Sequence, residues 1–411
     1  MKILVVHNKY QQPGGEDEVF RRETDLLRAK GHSVIEYARD NREIEHYALL
    51  RKLTLGPRTI WAPDSVREMR AILANENPVV AHFHNIFPLI SPAAYYACAA
   101  AHVPVVQTLH NPRLLCPAAT LYRDGQVCEE CVRKFVPWPA VLHSCYRGSR
   151  TQSAVVAAML AAHRAFGTWS ERTSMYICST DFYRDKFIEG GLAPEKILCK
   201  PHFVPADPGI RTGSGEYALF IGRLAPEKGV QTVIDAWRRF TSRPLKIRGE
   251  GPLLSQVQQM RDALPGVVEI VPRIARMDLF RLLKGARFLV WPSLGYYETF
   301  GLVAIEALAC GVPVLASRIG VMQEIIQDRR TGLHFTPGDS ADLAEKVEWA
   351  WTHPAELQVM GRNARAEYES KYTSESNYEL LMGIYSKAMG DRKTLGFSPY
   401  PRPAVSLRKQ A

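Results

Sequence analysis

What this chain does not contain narrows its class first. No apolar run approaches the roughly 18 residues that a membrane-spanning helix needs, so no span is expected. The opening MKILVV passes straight into polar HNKYQQ, which is too short for a signal-peptide core and reads as a first strand; a cytoplasmic protein is the expectation. No G-x-G-x-x-G follows that strand, which argues against a dinucleotide oxidoreductase, and an acid further on such as Glu36 does not replace it. No basic strand interleaved with aromatics is present, which argues against a nucleic-acid-binding module. No internal repeat is visible, and the only biased segment is the tail from Asp391, which has no apolar periodicity and reads as disordered. From Val132 to Ser170 there is no Asp or Glu at all.

What is present is ordinary for a globular protein: 411 residues, 46% hydrophobic and 23% charged, enough for two or three domains. The formal charge of +10 implies an anionic partner such as a nucleotide, a lipid surface or nucleic acid. Short apolar runs at 3–6, 33–38, 79–83, 105–109 and 175–179 alternate with helical stretches near 66–74, 92–101, 153–166 and 182–189. Such alternation predicts a parallel α/β sheet. The Pro/Gly/Ser cluster PADPGIRTGSG at 205–215 is the best boundary, giving a first domain over 1–204 with an interruption at 111–150, and a second over 216–374. In the second, strands are expected at 217–221, 245–248, 268–271 and 288–291, with helices near 341–351 and 357–370.

The stretch 288–315, FLVWPSLGYYETFGLVAIEALACGVPVL, predicts a strand, a helix capped by Thr299 and stopped at Gly311, and a second strand. Leu302, Ile305, Glu306 and Ala309 share one helix face, so a lone carboxylate sits on a packing face and needs a partner. Glu298 lies in the loop before that helix, at the end of a parallel strand, where open α/β sheets bind ligands. The two acids, eight positions apart, suit one hydroxyl-rich ligand; the alternative is a buried Glu–Arg pair beside a solvated loop acid. In GRLAPEKG, Arg223 and Lys228 flank a strand-to-helix turn and suit a diphosphate, or else form a solvated basic turn. The loop GEGP brings Gly249 and Gly251 to another strand end, and Gly14 and Gly15 open the first helix, a phosphate-binding geometry or simply a turn. Two histidine-rich loops, HFHN and TLHN, close successive strands and place His110 at the expected cleft edge.

The interruption at 111–150 carries Cys116, Cys128, Cys131 and Cys145 around a hairpin-like LYRDGQVCEECV. Four cysteines with one C-x-x-C in a reducing compartment suggest a structural zinc site; buried thiols or a regulatory disulfide are the alternatives.

The pattern E-T-F-G-L-V-A-I-E-A with G-V-P-V, and independently GRLAPEKG, resemble the signatures of glycosyltransferase family 4, retaining nucleotide-sugar enzymes of the GT-B fold. The resemblance is strong over 217–338, looser over 1–110 and absent from the tail. It implies two doubly wound Rossmann-like domains facing across a cleft, with the helix at 375–390 crossing back to the first. It implies a hexosyltransferase-type reaction between a nucleoside-diphosphate sugar and an acceptor hydroxyl, with no cofactor required and no dedicated nucleophile. In these terms Arg223 and Lys228 hold the diphosphate with Gly14, Gly15, Gly249 and Gly251. Glu306 takes the ribose, and Glu298 takes the sugar with the amides of Phe300, Gly301 and Leu302. His110 lies by the reacting carbon. A sugar-nucleotide hydrolase or epimerase of the same fold stays open.

The acid-free segment contributes Arg133, Lys134, Arg147, Arg150 and Arg164 with Phe135, Trp138, Trp169 and an Ala-rich run over 154–162. Cations with aromatics suit an anionic membrane surface, and family members often act on lipid-linked acceptors; a soluble helix with a basic edge is the alternative.

Overall fold

The computed structural model describes residues 1–11, 14–48, 51–52, 54–296 and 298–390, without the side chain of Arg276. The tail from Asp391 lies outside the described residues. Two six-stranded sheets carry the fold. The first lobe contains β1 (Lys2–Lys9), β2 (Ser33–Asp40), β3 (Val80–Phe83), β4 (Val105–Thr108), β7 (Met175–Cys178) and β8 (Ile197–Cys199), in the order β2-β1-β3-β4-β7-β8. The second contains β9 (Tyr217–Ile221), β10 (Leu245–Arg248), β11 (Val268–Val271), β12 (Ala286–Trp291), β13 (Val314–Ser317) and β14 (Gly332–Phe335), in the order β11-β10-β9-β12-β13-β14. Every pairing in both is parallel. Ile3, Leu4, Val5 and Val6 are all at most 1% exposed, so helices cover both faces, which is why these strands read as unbroken apolar runs rather than as alternation.

Between β4 and β7 the chain leaves the sheet. β5 (Tyr122–Arg123) and β6 (Gln126–Val127) form an antiparallel hairpin, with Asp124 at φ 52° and Gly125 at φ 81°, the primed turn that a DG pair favours. The helices Trp138–Leu142 and Arg150–Ala165 follow. The terminal helix Ser374–Ala388 packs on the first lobe, where Leu381, Ile384 and Tyr385 share a core with Ile3, Val5, Phe20 and Leu27.

One expected cap is replaced. The helix in the 288–315 stretch is Leu302–Ala309, and its N-cap is Gly301 at φ 89°, not Thr299. A Cβ at Gly301 would run into the Trp291 ring, so the chain turns over Trp291 before the helix starts. The Thr299 carbonyl instead accepts from Ser179 Oγ of the first lobe at 2.9 Å. At the other end Gly311, at φ 69° after the C-cap Cys310, takes the expected place. The strand-to-helix turn flanked by Arg223 and Lys228 contains a single 3-10 turn, Pro226–Lys228, separated by left-handed Gly229 from the helix Val230–Trp237. Gly229 abuts the Pro292 carbonyl, which carries the Lys228 turn onto the loop after β12. The helices Leu254–Ala263 and Arg276–Gly285 were not anticipated; the first buries only Val257 and Met260, too few apolar positions to show a stripe.

Candidate functional site

The carboxyl ends of both sheets face each other, and the expected site residues lie on the loops there. In the second lobe, Lys228 Nζ lies 2.5 Å from Glu298 Oε2. The same oxygen accepts from Trp291 Nε1 and Ser293 Oγ, each at 3.2 Å. Burial works against the Glu298 carboxylate, but Lys228 and these two donors outweigh it and hold the group below its ordinary range. Arg223 sits at the same turn, half exposed and paired with Glu227. Gly249 and Gly251 have a packing role: Cβ atoms there would collide with the carbonyls of Gly222 and Leu224, so their glycines let the GEGP turn lie directly on the Arg223 turn.

Glu306 projects from the buried face of Leu302–Ala309 and meets Arg22 of the first lobe, with Arg22 Nη2 donating to Glu306 Oε1 at 2.7 Å. Arg22 also donates to Glu18 Oε1 at 2.7 Å and to the Phe203 carbonyl at 2.9 Å. Both side chains are at most 7% exposed. The buried Glu–Arg pair thus exists, and it spans the two lobes. Arg22 was not singled out from sequence, although it carries the same signal as Glu306: a charge on the packing face of an amphipathic helix, here Gly15–Ala29 with Val19, Phe20, Leu26 and Leu27. Gly14 is that helix's N-cap, and its N–H donates to Asp17 Oδ2 at 2.8 Å. Gly15 lies against Leu302, since a Cβ on it would be 3.9 Å from Leu302 Cδ1. The first lobe's phosphate-loop candidate therefore meets the start of the helix Leu302–Ala309, where the amides expected at the sugar lie.

His110, at the end of β4, is buried, with its Nε2 2.9 Å from His84 Nδ1. Its ring stacks on His202 at 5.7 Å, and His202 in turn meets Phe300 at 4.8 Å. Phe300 is 3% exposed and belongs to the interlobe apolar core, so its side chain packs rather than lines open space. Burial pushes His84, His110 and His202 well below the ordinary histidine range, so all three are neutral. A small pocket beside His110 is lined by that residue with His84, Asn85, Gln107, Asn111 and Arg113 among others.

Cys116, Cys128, Cys131 and Cys145 are free thiols. Burial, then the neighbouring Cys116, push the Cys131 thiol up to about 12, and Cys145 and Cys128 act on it as well, so the insert gathers all four. They are not drawn to ligand spacing. Among the described residues, the group of His, Cys, Asp or Glu ligand atoms lying within 4.8 Å of one another is Glu23, His82 and His84. Four thiolates on one zinc would sit about 3.8 Å apart, from bonds of about 2.3 Å in a tetrahedron.

In the acid-free segment, two expected surface residues turn inward. Trp169 is buried against Tyr95, at a ring distance of 6.2 Å, and Arg164 donates to the carbonyls of Leu114, Lys134 and Phe135. Arg164 is drawn in by those carbonyls, whereas Trp169 is held by the apolar core of the first lobe and its indole N–H has no hydrogen-bond partner. Phe135, Val136, Trp138, Leu142 and Phe166 remain between 46% and 57% exposed. No helix among the described residues is long and apolar enough to cross a membrane.

Two parallel Rossmann-like lobes whose ligand-binding loops face each other define a GT-B fold. Solved structures agree: HepE of Anabaena, in complex with UDP, superposes with a TM-score of 0.68 at 18% identity over 94% of this chain and 100% of that one. Sucrose-phosphate synthase of Thermosynechococcus elongatus does so with 0.70 at 18%, over 95% and 99%. The family model "Glycosyltransferase Family 4" matches residues 13–207, and "Glycosyl transferases group 1" matches 209–367. The chain belongs to glycosyltransferase family 4, and it is a glycosyltransferase. Among curated relatives, glycogen synthase of Mycobacterium tuberculosis is 28% identical over 98% of this chain and 97% of its own. The D-rhamnosyltransferase WbpZ of Pseudomonas aeruginosa is 33% identical over 38% and 42%.

Proposed function

We propose that this enzyme moves a sugar from a nucleoside diphosphate to an acceptor hydroxyl with retention at the anomeric carbon. The observation that carries the reading is the Lys228–Glu298 pair, a fixed cation and a fixed carboxylate at one helix approach, with Glu306 buried on the helix behind it. The C1–O bond to the diphosphate breaks, and the acceptor oxygen bonds C1 from the same face. The acceptor proton passes to the leaving phosphate oxygen, so no protein nucleophile is needed. Arg223 and Lys228 neutralise the charge that develops on the leaving group, where a preorganised cation acts most strongly. Gly14, Gly15, Gly249 and Gly251 let backbone approach the phosphates. Glu306 accepts from ribose hydroxyls, Glu298 and the amides at 300–302 hold the sugar, and His110 contacts it near C1. HepE has been solved with UDP-glucose, which makes uridine donors the first to try.

The acceptor is a lipid-linked or surface-polysaccharide glycan met at an anionic membrane, with the enzyme peripheral on its cytoplasmic face. Exposed Phe135, Trp138 and Leu142 beside Lys134, Arg147 and Arg150 support this. A structural zinc on Cys116, Cys128, Cys131 and Cys145 completes the proposal; the four gathered thiols support it, and their sulfurs would draw together on binding. Elemental analysis of protein purified without added metal should find one zinc per chain, and active, metal-free protein with four free thiols would remove it. The reading as a whole is tested by thermal shift against a panel of nucleoside diphosphates and their sugars, since a ligand of the folded state raises the melting point. One nucleotide family should stabilise, and its sugar should be transferred. Consumption of the sugar to water alone at the full rate would favour a hydrolase, and no stabilisation by any of them would refute the donor class.

A further inference from the structure

Behind His110 lies a buried polar cluster that transfer chemistry does not obviously need. Glu23 projects inward from the helix Gly15–Ala29 with its side chain 1% exposed. Its Oε1 accepts from Lys200 Nζ, a fully buried ammonium that also donates to Asn377 Oδ1 of the terminal helix at 3.4 Å. Its Oε2 has no hydrogen-bond partner, and neither has His84 Nε2; the two atoms lie 3.8 Å apart. His82 is already engaged at both nitrogens, Nδ1 with the Tyr385 hydroxyl at 2.8 Å and Nε2 with Thr108 Oγ1 at 2.7 Å.

The proton positions follow from electrostatics. A bare imidazole lone pair facing a carboxylate lone pair in a dry interior is repulsive, whereas a proton on His84 Nε2 makes the same contact attractive. Neutral imidazole carries one proton, so His84 Nδ1 is then bare. The 2.9 Å contact to His110 requires a proton, and His110 Nε2 must supply it. His110 Nδ1 is left as an acceptor.

The ligand spacing of Glu23, His82 and His84 also invites a metal reading. A dication there would meet the Lys200 ammonium already bound to Glu23 and would displace the Tyr385 contact from His82. Charge balance favours the protein's own wiring.

We propose that Glu23 and His84 are positioning residues that fix His110 in its Nε2–H tautomer, so that His110 Nδ1 accepts a hydrogen bond from a hydroxyl of the donor sugar. This rests on the transfer reading above. The terminal helix braces the arrangement through Asn377 and Tyr385.

The test is a long-range proton–nitrogen correlation spectrum of the protein labelled with 15N-histidine, recorded without ligand. His84 and His110 should both carry the proton on Nε2. In Glu23→Gln the amide can donate to His84 Nε2, and His110 should switch to Nδ1–H. That variant should bind the donor nucleotide sugar roughly tenfold more weakly, the scale of one neutral hydrogen bond, with free nucleoside diphosphate unchanged. If Glu23→Gln does not fold around an unpaired ammonium, Glu23→Gln/Lys200→Met removes the charge, and His84→Phe tests the relay from its middle. His110 protonated on Nδ1 in the unmutated enzyme, or equal loss of nucleotide and nucleotide sugar, would overturn the proposal. So would a stoichiometric metal ion that Glu23→Gln abolishes. The spectrum needs no donor. Both Nε2–H tautomers in a protein that binds no nucleotide sugar would therefore support the wiring and count against the transfer reading alone.

Discussion

Lys228 Nζ lies 2.5 Å from Glu298 Oε2 across 70 residues of chain, so a cation expected at the diphosphate and an acid expected at the sugar hold each other in place. The pair has consequences for both partners. Lys228→Ala should lower turnover by about two to three orders of magnitude, as loss of one charge-stabilising donor does. It also leaves the Glu298 carboxylate to the burial that works against it, so its pKa should rise. Arg223→Ala should cost a similar factor without that rise, because Arg223 sits half exposed. Steady-state rates across pH for both variants check this. Rates equal to the parent's in either folded variant would remove the diphosphate assignment.

The Arg22–Glu306 pair ties the lobes through two groups almost out of water. Removing one partner of such a pair costs about 3–5 kcal/mol, while replacing both by apolar groups costs much less. Arg22→Met should therefore lose stability on that scale in urea unfolding, and Arg22→Met/Glu306→Leu should regain most of it. Glu306→Gln should separately weaken free nucleoside diphosphate. Additive losses in the double variant would show that the two side chains are not coupled.

Acid should unfold the first lobe through its histidines. Burial, then Lys200, lower His82 from 6.5 to about 3, and His84, His110 and His202 move in the same direction. These groups are neutral when folded and take up protons on unfolding below their unfolded values. The His82 contribution is thus present above about pH 6.5 and is lost as pH falls toward 3, by up to about 1.4 kcal/mol per pH unit, and the other three add losses of the same sign. Denaturant unfolding at pH 7.5 and 5.5 should show a fall that His82→Gln reduces. A flat stability between those values would contradict the buried, neutral cluster.

Phe135→Ser/Trp138→Ser/Leu142→Ser should leave the fold intact, because all three side chains are more than half exposed. The parent should co-sediment with anionic vesicles at low salt and release at high salt, and the triple variant should not bind. Equal, negligible binding of the parent to anionic and neutral vesicles would leave a soluble acceptor as the better account.

Much of the fold is legible in the sequence. Continuous apolar runs such as FLVW mark strands covered on both faces, and the acids of 298 and 306 lie on one helix approach by spacing alone. What spacing could not show was which loops touch. Gly229 sets the Lys228 turn against Pro292 and the Leu294 N–H donates to the Glu227 carbonyl at 3.0 Å, and these contacts bring Lys228 to Glu298. The Thr299 cap failed for a similar reason, because the Trp291 ring beneath Gly301 delays the helix. Arg22 and Glu23 escape a reading by spacing because their partners, Glu306 and Lys200, lie 284 and 177 residues away. Trp169 and Arg164 looked like surface residues because nothing in the sequence shows the carbonyls and rings that bury them.

The stereochemistry of transfer tests front-face displacement most directly. Proton NMR of the first-formed product, with the nucleotide sugar that stabilises the enzyme and either an acceptor or water, reads the anomeric coupling before mutarotation intervenes. The sugar should carry the same anomeric configuration it had in the donor, with one nucleoside diphosphate released per transfer. An inverted anomer would contradict front-face displacement assisted by Lys228 and Arg223.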